Sequence, residues 1–148
     1  MRVVVQRVSG AMLYVEGRLI SKIEKGLVVF LGVTHADTEK DADIVAKKVA
    51  HMRIFEDAQG KMNLSVSDVK GEALLVSQFT LYGDCAHGNR PSFILAARPE
   101  PANRLYKLTA EKLSNYQIPV KLGIFGADMK IDQKNDGPVT ILFDSRGV

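Results

Sequence analysis

The sequence predicts an α+β domain, mainly antiparallel strands with two separated helices. Three observations predict it. Short runs rich in valine, leucine and isoleucine, punctuated by glycine, fill the first thirty residues. Two longer segments, 38–52 and 102–116, carry apolar residues at helical spacings of three and four. A regular alternation of strand and helix is missing, which argues against a wound parallel sheet. The length of 148 residues suits a single domain, 1–148. With 46% hydrophobic and 25% charged residues, the chain can bury a core without staples.

Residues 2–8 read as a valine-rich strand, followed by strands at 13–15 and 18–23 joined through a Glu16-Gly17 hairpin turn. Leu27-Val28-Val29-Phe30-Leu31 is apolar on successive residues, as expected of a strand covered on both faces. Breaks at Gly10, Glu16-Gly17 and Lys25-Gly26 predict an antiparallel meander. In the helix over 38–52, Thr38 is the cap and Asp41 its partner. Ala42, Val45, Val49 and Met52 form its apolar stripe, with Lys40, Lys47 and Lys48 off it. Residues 53–56 read as a short strand, 57–61 as a turn containing Gly60, and 72–79 as an apolar strand. The stretch 83–101 is irregular, and so long a loop in a small domain is often functional. The helix over 102–116 enters through Pro101 and carries Ala102, Leu105, Tyr106, Thr109, Ala110 and Leu113 on one face. Segments 120–124 and 139–143 are the last strands.

The composition narrows the function. Cys85 is the single cysteine, so no internal disulfide can form and a reducing compartment is expected. The start, Met1-Arg2-Val3-Val4-Val5, lacks the apolar region of a signal peptide, and no run approaches the roughly 20 apolar residues of a span. The expectation is a cytoplasmic protein with no membrane contact. Net charge is +3 with no run of five basic residues, so any anionic partner must meet a distributed face. His51 lies near a helix end, where a cation suits the dipole. Cys85 and His87 make a poor zinc site, because structural zinc takes four ligands, and no metal or cofactor is expected. No Gly-x-Ser-x-Gly elbow, phosphate loop or marked carboxylate pair is present. An enzyme of this sequence must therefore work with main-chain groups, hydroxyls or the substrate itself.

Two segments carry the remaining information: Ser77-Gln78-Phe79-Thr80-Leu81 and Asn135-Asp136-Gly137-Pro138-Val139-Thr140. A Gly-Pro pair between strand-forming runs presents bare main chain to a ligand, since proline removes an N–H and glycine a side chain. The plain alternative is a tight turn before a last strand over 138–143. Thr80 reads equally as a strand threonine, and Phe79, ending an apolar strand, as core.

These two motifs, in this order, resemble those of the D-aminoacyl-tRNA deacylase family, first described for D-tyrosyl-tRNA. The opening Met1-Arg2-Val3-Val4-Val5-Gln6-Arg7-Val8, the segment Gly88-Asn89-Arg90-Pro91-Ser92-Phe93 and the chain length extend the likeness end to end. The resemblance implies a homodimer of barrel-like α+β protomers. It implies hydrolysis of the ester joining a D-amino acid, or glycine, to the 3′-terminal adenosine of tRNA, with L-aminoacyl-tRNA rejected. It implies a cis Gly137-Pro138 peptide that reaches into the partner's site and that Arg7 steadies. It places Ser77, Gln78, Phe79 and Thr80 at the catalytic centre, and Phe125 and Met129 near the adenine. Two mechanisms stay open: assistance by the ribose 2′-hydroxyl with main-chain N–H groups near Phe79 and Thr80 holding the oxyanion, or attack by Thr80, which lacks a nameable base. Arg90, Lys107, Lys112, Lys121 and Lys130 are candidate phosphate contacts. Competing readings are a non-catalytic tRNA-binding module, an unrelated small hydrolase of acyl esters or amides, and a structural dimer whose Gly-Pro pair is only a turn.

Overall fold

The structure is a computed structural model and describes residues 1–147. Its first strand, β1 (Arg2–Val15), runs unbroken through Gly10. One of its edges is shared. Its second half pairs antiparallel with β2 (Arg18–Ile23), returning from the Glu16-Gly17 turn, and its first half pairs antiparallel with β3 (Gly26–Gly32). The predicted meander is thus corrected: β3 lies beside β1 and not beside β2. The six residues of β2 cover only half of β1 and leave the other half free for β3.

After β3 comes α1 (Glu39–His51), then a small hairpin of β4 (Phe55–Glu56) and β5 (Met62–Leu64), then β6 (Glu72–Ser77). A 3-10 turn follows (Phe79–Tyr82), then α2 (Pro99–Ser114), β7 (Val120–Leu122) and β8 (Lys130–Asp144). β6 lies parallel to β3, and β7 parallel to β6, so two strand–helix–strand crossovers exist that the sequence does not announce. The hairpin in the first and the long loop in the second hide the alternation. Antiparallel pairs still outnumber parallel ones, and β8 covers the whole free edge of β1. The order β2-β1-β3-β6-β7 nearly closes on itself, because Ser21 Oγ of β2 donates to the Leu122 carbonyl of β7.

Alternation divides the strand side chains between two cores. Val3, Val5, Leu27, Val29, Leu31, Ala73 and Leu75 face α1 and α2. Val28, Leu74 and Val76 face the other way and join Val8, Ala11, Leu13 and Ile23 in a core of strand residues alone. The uninterrupted apolar run of β3 is therefore buried on both faces, as its sequence predicts. A register irregularity between Val8 and Gly10 shifts the parity of β1, so Val8, Ala11 and Leu13 share one core although Val3 and Val5 serve the other.

Both helical stripes are buried except Met52, which is half-buried at the end of α1. α2 begins three residues earlier than predicted. Pro99 and Pro101 fit its first turn, where a missing N–H costs nothing. Thr38 caps α1: its N–H donates to Asp41 Oδ2 at 2.8 Å. Asp41 also accepts from the Ser145 hydroxyl at 2.7 Å, tying the helix start to the chain beyond β8. Burial opposes ionisation of Asp41. The Ser145 hydroxyl, the Thr38 N–H, the Met1 ammonium and the Thr38 hydroxyl outweigh it and hold the carboxyl down at about 2.

Because the folded-state value lies below the ordinary one, this stabilisation is fully present above about pH 4 and is lost as pH falls toward 2. It is worth about 2 kcal/mol. Urea titrations from pH 6 to pH 2 should show that decline in the wild type and a flatter acid limb in Asp41→Asn, already less stable at neutral pH.

Candidate active site

β6 leaves the sheet two residues earlier than the sequence predicts. The Gln78 N–H still donates to the Leu31 carbonyl at 2.8 Å, and the chain then folds into the turn Phe79–Tyr82 over the end of β3. Gly32 permits this close approach. A Cβ there would stand 3.0 Å from the Gln78 carbonyl oxygen and 3.0 Å from Leu81 Cβ. The Gly83 N–H closes the turn on the Thr80 carbonyl at 2.9 Å, and buried Tyr82 anchors it. Among the described residues, the N–H groups of Phe79 and Thr80 have no protein acceptor. They are the free donors of a turn's first residues.

Beside this turn lies a cavity of about 690 Å³. It brings together Ser77, Gln78, Phe79, Phe125 and Met129, five of the residues named from the sequence. Phe93, Pro99, Ala102 and Ile131 complete much of its apolar wall. Phe79 is not core: the turn swings it outward, 54% exposed, edge-on to Phe93 with ring centres 5.2 Å apart. Thr80 is exposed and stands outside the cavity lining, its hydroxyl accepting from the Gln78 amide.

The Gly-Pro motif does not line this cavity. It is no turn before a last strand but a bulge within β8. Gln6 pairs with Thr140 and Val8 with Asn135, so residues 136–139 stand opposite Arg7 alone. The Gly137-Pro138 peptide is cis and exposed, with Gly137 at φ +125°, a region that L side chains rarely adopt. Arg7 is no surface residue on an edge strand. It is 6% exposed, on a strand paired along both edges. Its Nε donates to the Asp136 carbonyl at 3.1 Å and its guanidinium to the Ile54 carbonyl at 2.7 Å, fixing the base of the bulge.

A family model described as D-Tyr-tRNA(Tyr) deacylase matches residues 4–144. The chain is 54% identical to a D-aminoacyl-tRNA deacylase of Thermosipho melanesiensis, over 100% of this chain and 99% of that one. It is 51% identical to one of Fusobacterium nucleatum, over 99% and 97%. The chain belongs to the D-aminoacyl-tRNA deacylase family. Among solved structures, a c-Myc DNA unwinding element binding protein superposes with a TM-score of 0.91 at 41% identity, covering 97% of this chain and 98% of that one. A probable eukaryotic D-amino acid tRNA deacylase shares the fold at a TM-score of 0.84 and 17% identity, with the same coverage.

Within this deacylase-family chain the sequence missed several residues that shape the site. Tyr106, legible only as part of a buried stripe, donates its hydroxyl to the Leu75 carbonyl at 2.7 Å, and its ring lies 6.1 Å from Phe125. Burial pushes its phenol up to about 12, so it stays a donor at any working pH. Gln133 donates to Gln6 at 2.8 Å and to Asn135 at 2.6 Å, a polar ladder beside the bulge that needed the β1–β8 register to be found. Of the five candidate phosphate contacts, Lys112 is bound to Asp43 at 2.6 Å and Lys130 to Asp128 at 3.2 Å. Arg90, Lys107 and Lys121 are exposed. Among the described residues no group of three or more His, Cys, Asp or Glu could hold a metal ion, and no helix is long and apolar enough to cross a membrane.

Proposed function

We propose that the chain hydrolyses the ester between a D-amino acid and the 3′-terminal adenosine of tRNA and spares the L-aminoacyl ester. Membership of a deacylase family makes it a hydrolase of ester bonds. The observation that carries the chemistry is the pair of unpartnered N–H groups at Phe79 and Thr80 beside an apolar cavity. Water attacks the acyl carbon, the carbonyl electrons move to its oxygen, and the two N–H groups hold the oxyanion. The intermediate collapses, the 3′-oxygen leaves with one proton of the attacking water, the other passes to solvent, and the amino acid departs as its carboxylate. The ribose 2′-hydroxyl, vicinal to the ester, orients the water. A Thr80 nucleophile fits less well. Its hydroxyl is engaged with Gln78, and no base among the described residues is hydrogen-bonded to it. Main-chain donors and positioning suffice for an ester already activated.

Chirality is the task of Gly137-Pro138. A rigid main-chain wall at the position of an L side chain excludes it, and it has no rotamer by which to yield. Such a wall cannot exclude glycine, so glycyl-tRNA is a substrate in this reading. Because Gly137 and Pro138 do not line the cavity of their own chain, the wall in this reading comes from a second copy, which makes the working unit a homodimer. The exposed bulge and Leu142, 72% exposed on the same strand β8, supply a surface for that contact. Arg90, Lys107 and Lys121 add phosphate affinity without reading bases. The proposed compartment is the cytoplasm, where aminoacyl-tRNA is used.

The first test follows ester loss from D-Tyr-tRNA and L-Tyr-tRNA in the presence of chelator. Only the D form should be lost; loss of both refutes the wall, and loss of neither leaves a binding module. A D-tyrosyl ester on a 2′-deoxy terminal adenosine should be cleaved far more slowly, and full activity on it would remove the 2′-hydroxyl from the mechanism. Gly137→Ala places a Cβ 2.9 Å from Val139 Cγ2 and 3.1 Å from an Arg7 terminal nitrogen, at a φ that disfavours it. We expect a folded variant that loses about 1–3 kcal/mol and about a hundredfold in D-Tyr-tRNA hydrolysis. A folded variant with the wild-type rate would refute the wall.

A further inference from the structure

Gly123 follows β7, and its N–H donates to the Leu75 carbonyl at 3.4 Å. Its φ lies outside the left-handed region, so the backbone would accept an L side chain. Space would not. A Cβ at this position would stand 2.6 Å from Met129 Sδ and 3.1 Å from Leu13 Cδ1. Leu13 is fully buried in the strand core and cannot recede. Met129 is half-buried, flexible, and lines the cavity. An added methyl group would therefore push Met129, and the open side available to it is the cavity.

We propose that Gly123 is a specificity-determining position of the active cavity: by omitting a side chain it lets Met129 sit back, and so sets the width offered to the terminal nucleoside of the substrate. The inference rests on the deacylase reading above. The neighbourhood suits a flat heterocycle. Phe125 and Met129 line the same cavity, and the Tyr106 ring backs Phe125. The position acts through Met129 and touches no reacting atom. It should therefore alter nucleoside binding and leave the chemical step alone.

The test is a double-mutant cycle of Gly123→Ala, Met129→Ala and the pair, on D-Tyr-tRNA, with a parallel titration of a non-hydrolysable amide, 3′-(D-tyrosylamino)-3′-deoxyadenosine. Gly123→Ala should raise KM, and the Kd of the amide, about tenfold with kcat little changed. In the Met129→Ala background the same substitution should leave KM and Kd unchanged, because the side chain it pushes into the cavity is gone and the remaining contact, Leu13, does not line the cavity; any packing cost there falls on stability. Thermal melts of all four proteins report folding separately. An unchanged KM and Kd in Gly123→Ala, or a rise that persists without Met129, overturns the proposal. A wild type that neither cleaves D-Tyr-tRNA nor binds the amide overturns the deacylase reading first, and this inference with it.

Discussion

The fold depends on how strand β1 spends its two edges. One edge is divided between β3 and β2, and the other belongs wholly to β8. That division bends the sheet toward closure and lets the parity change near Val8 and Gly10 feed two cores from one strand. It also fixes where β8 must bulge. The pairs Gln6–Thr140 and Val8–Asn135 are set by the long ladder on either side, and the surplus residues 136–139 have no place to go but outward. Arg7, held between the Asp136 and Ile54 carbonyls, turns a surplus of chain into a defined projection.

The cavity arises from a different part of the same sheet. β3, β6 and β7 are parallel, and the cavity gathers where they end, at Leu31, at Ser77 and in the segment after Leu122. Strands that run together and then diverge leave a crevice beyond their carboxyl ends, the usual place for ligands in parallel sheets. Tyr106 marks the point of divergence. Its hydroxyl bonds the Leu75 carbonyl opposite Leu122, the last pair of the β6–β7 ladder. The turn after β6 then presents N–H groups that a continuing strand would have used in pairing. The donors are free because the ladder stops.

The sequence reveals local features well and pairing poorly. Both helices and their buried faces follow from spacing alone, and Thr38 with Asp41 marks the start of α1. The run at 27–31 is buried on both faces, as its lack of alternation requires. Ser77, Gln78, Phe79, Phe125 and Met129 line one cavity, which no spacing could show. The neighbour of β3, the parallel crossovers and the place of Gly137-Pro138 inside a strand escape the sequence. Each depends on contacts between residues far apart in the chain, Val3 with Leu31 or Gln6 with Thr140. Phe79 misleads for a related reason. Its apolar type argues for core, but the space left by Gly32 turns the chain and puts the ring at the cavity rim.

In the proposed function an aminoacyl ester needs little chemical force and much discrimination, and main-chain donors with a separate wall would suit that demand. A strong side-chain nucleophile near Ser77 would cleave any ester that entered, so selectivity would rest on exclusion alone. Under the proposed mechanism, main-chain donors at Phe79 and Thr80 would act only on an acyl group held in one orientation, because N–H directions in a turn are fixed. Orientation and exclusion then become the same requirement. In the proposed reading the excluding element sits on a bulge that Arg7 anchors and that does not line the cavity, which adds a further condition. In the proposed homodimer a lone protomer holds the oxyanion donors but not the wall. Discrimination would then arise only on assembly, and the strength of the subunit contact would set fidelity as well as stability.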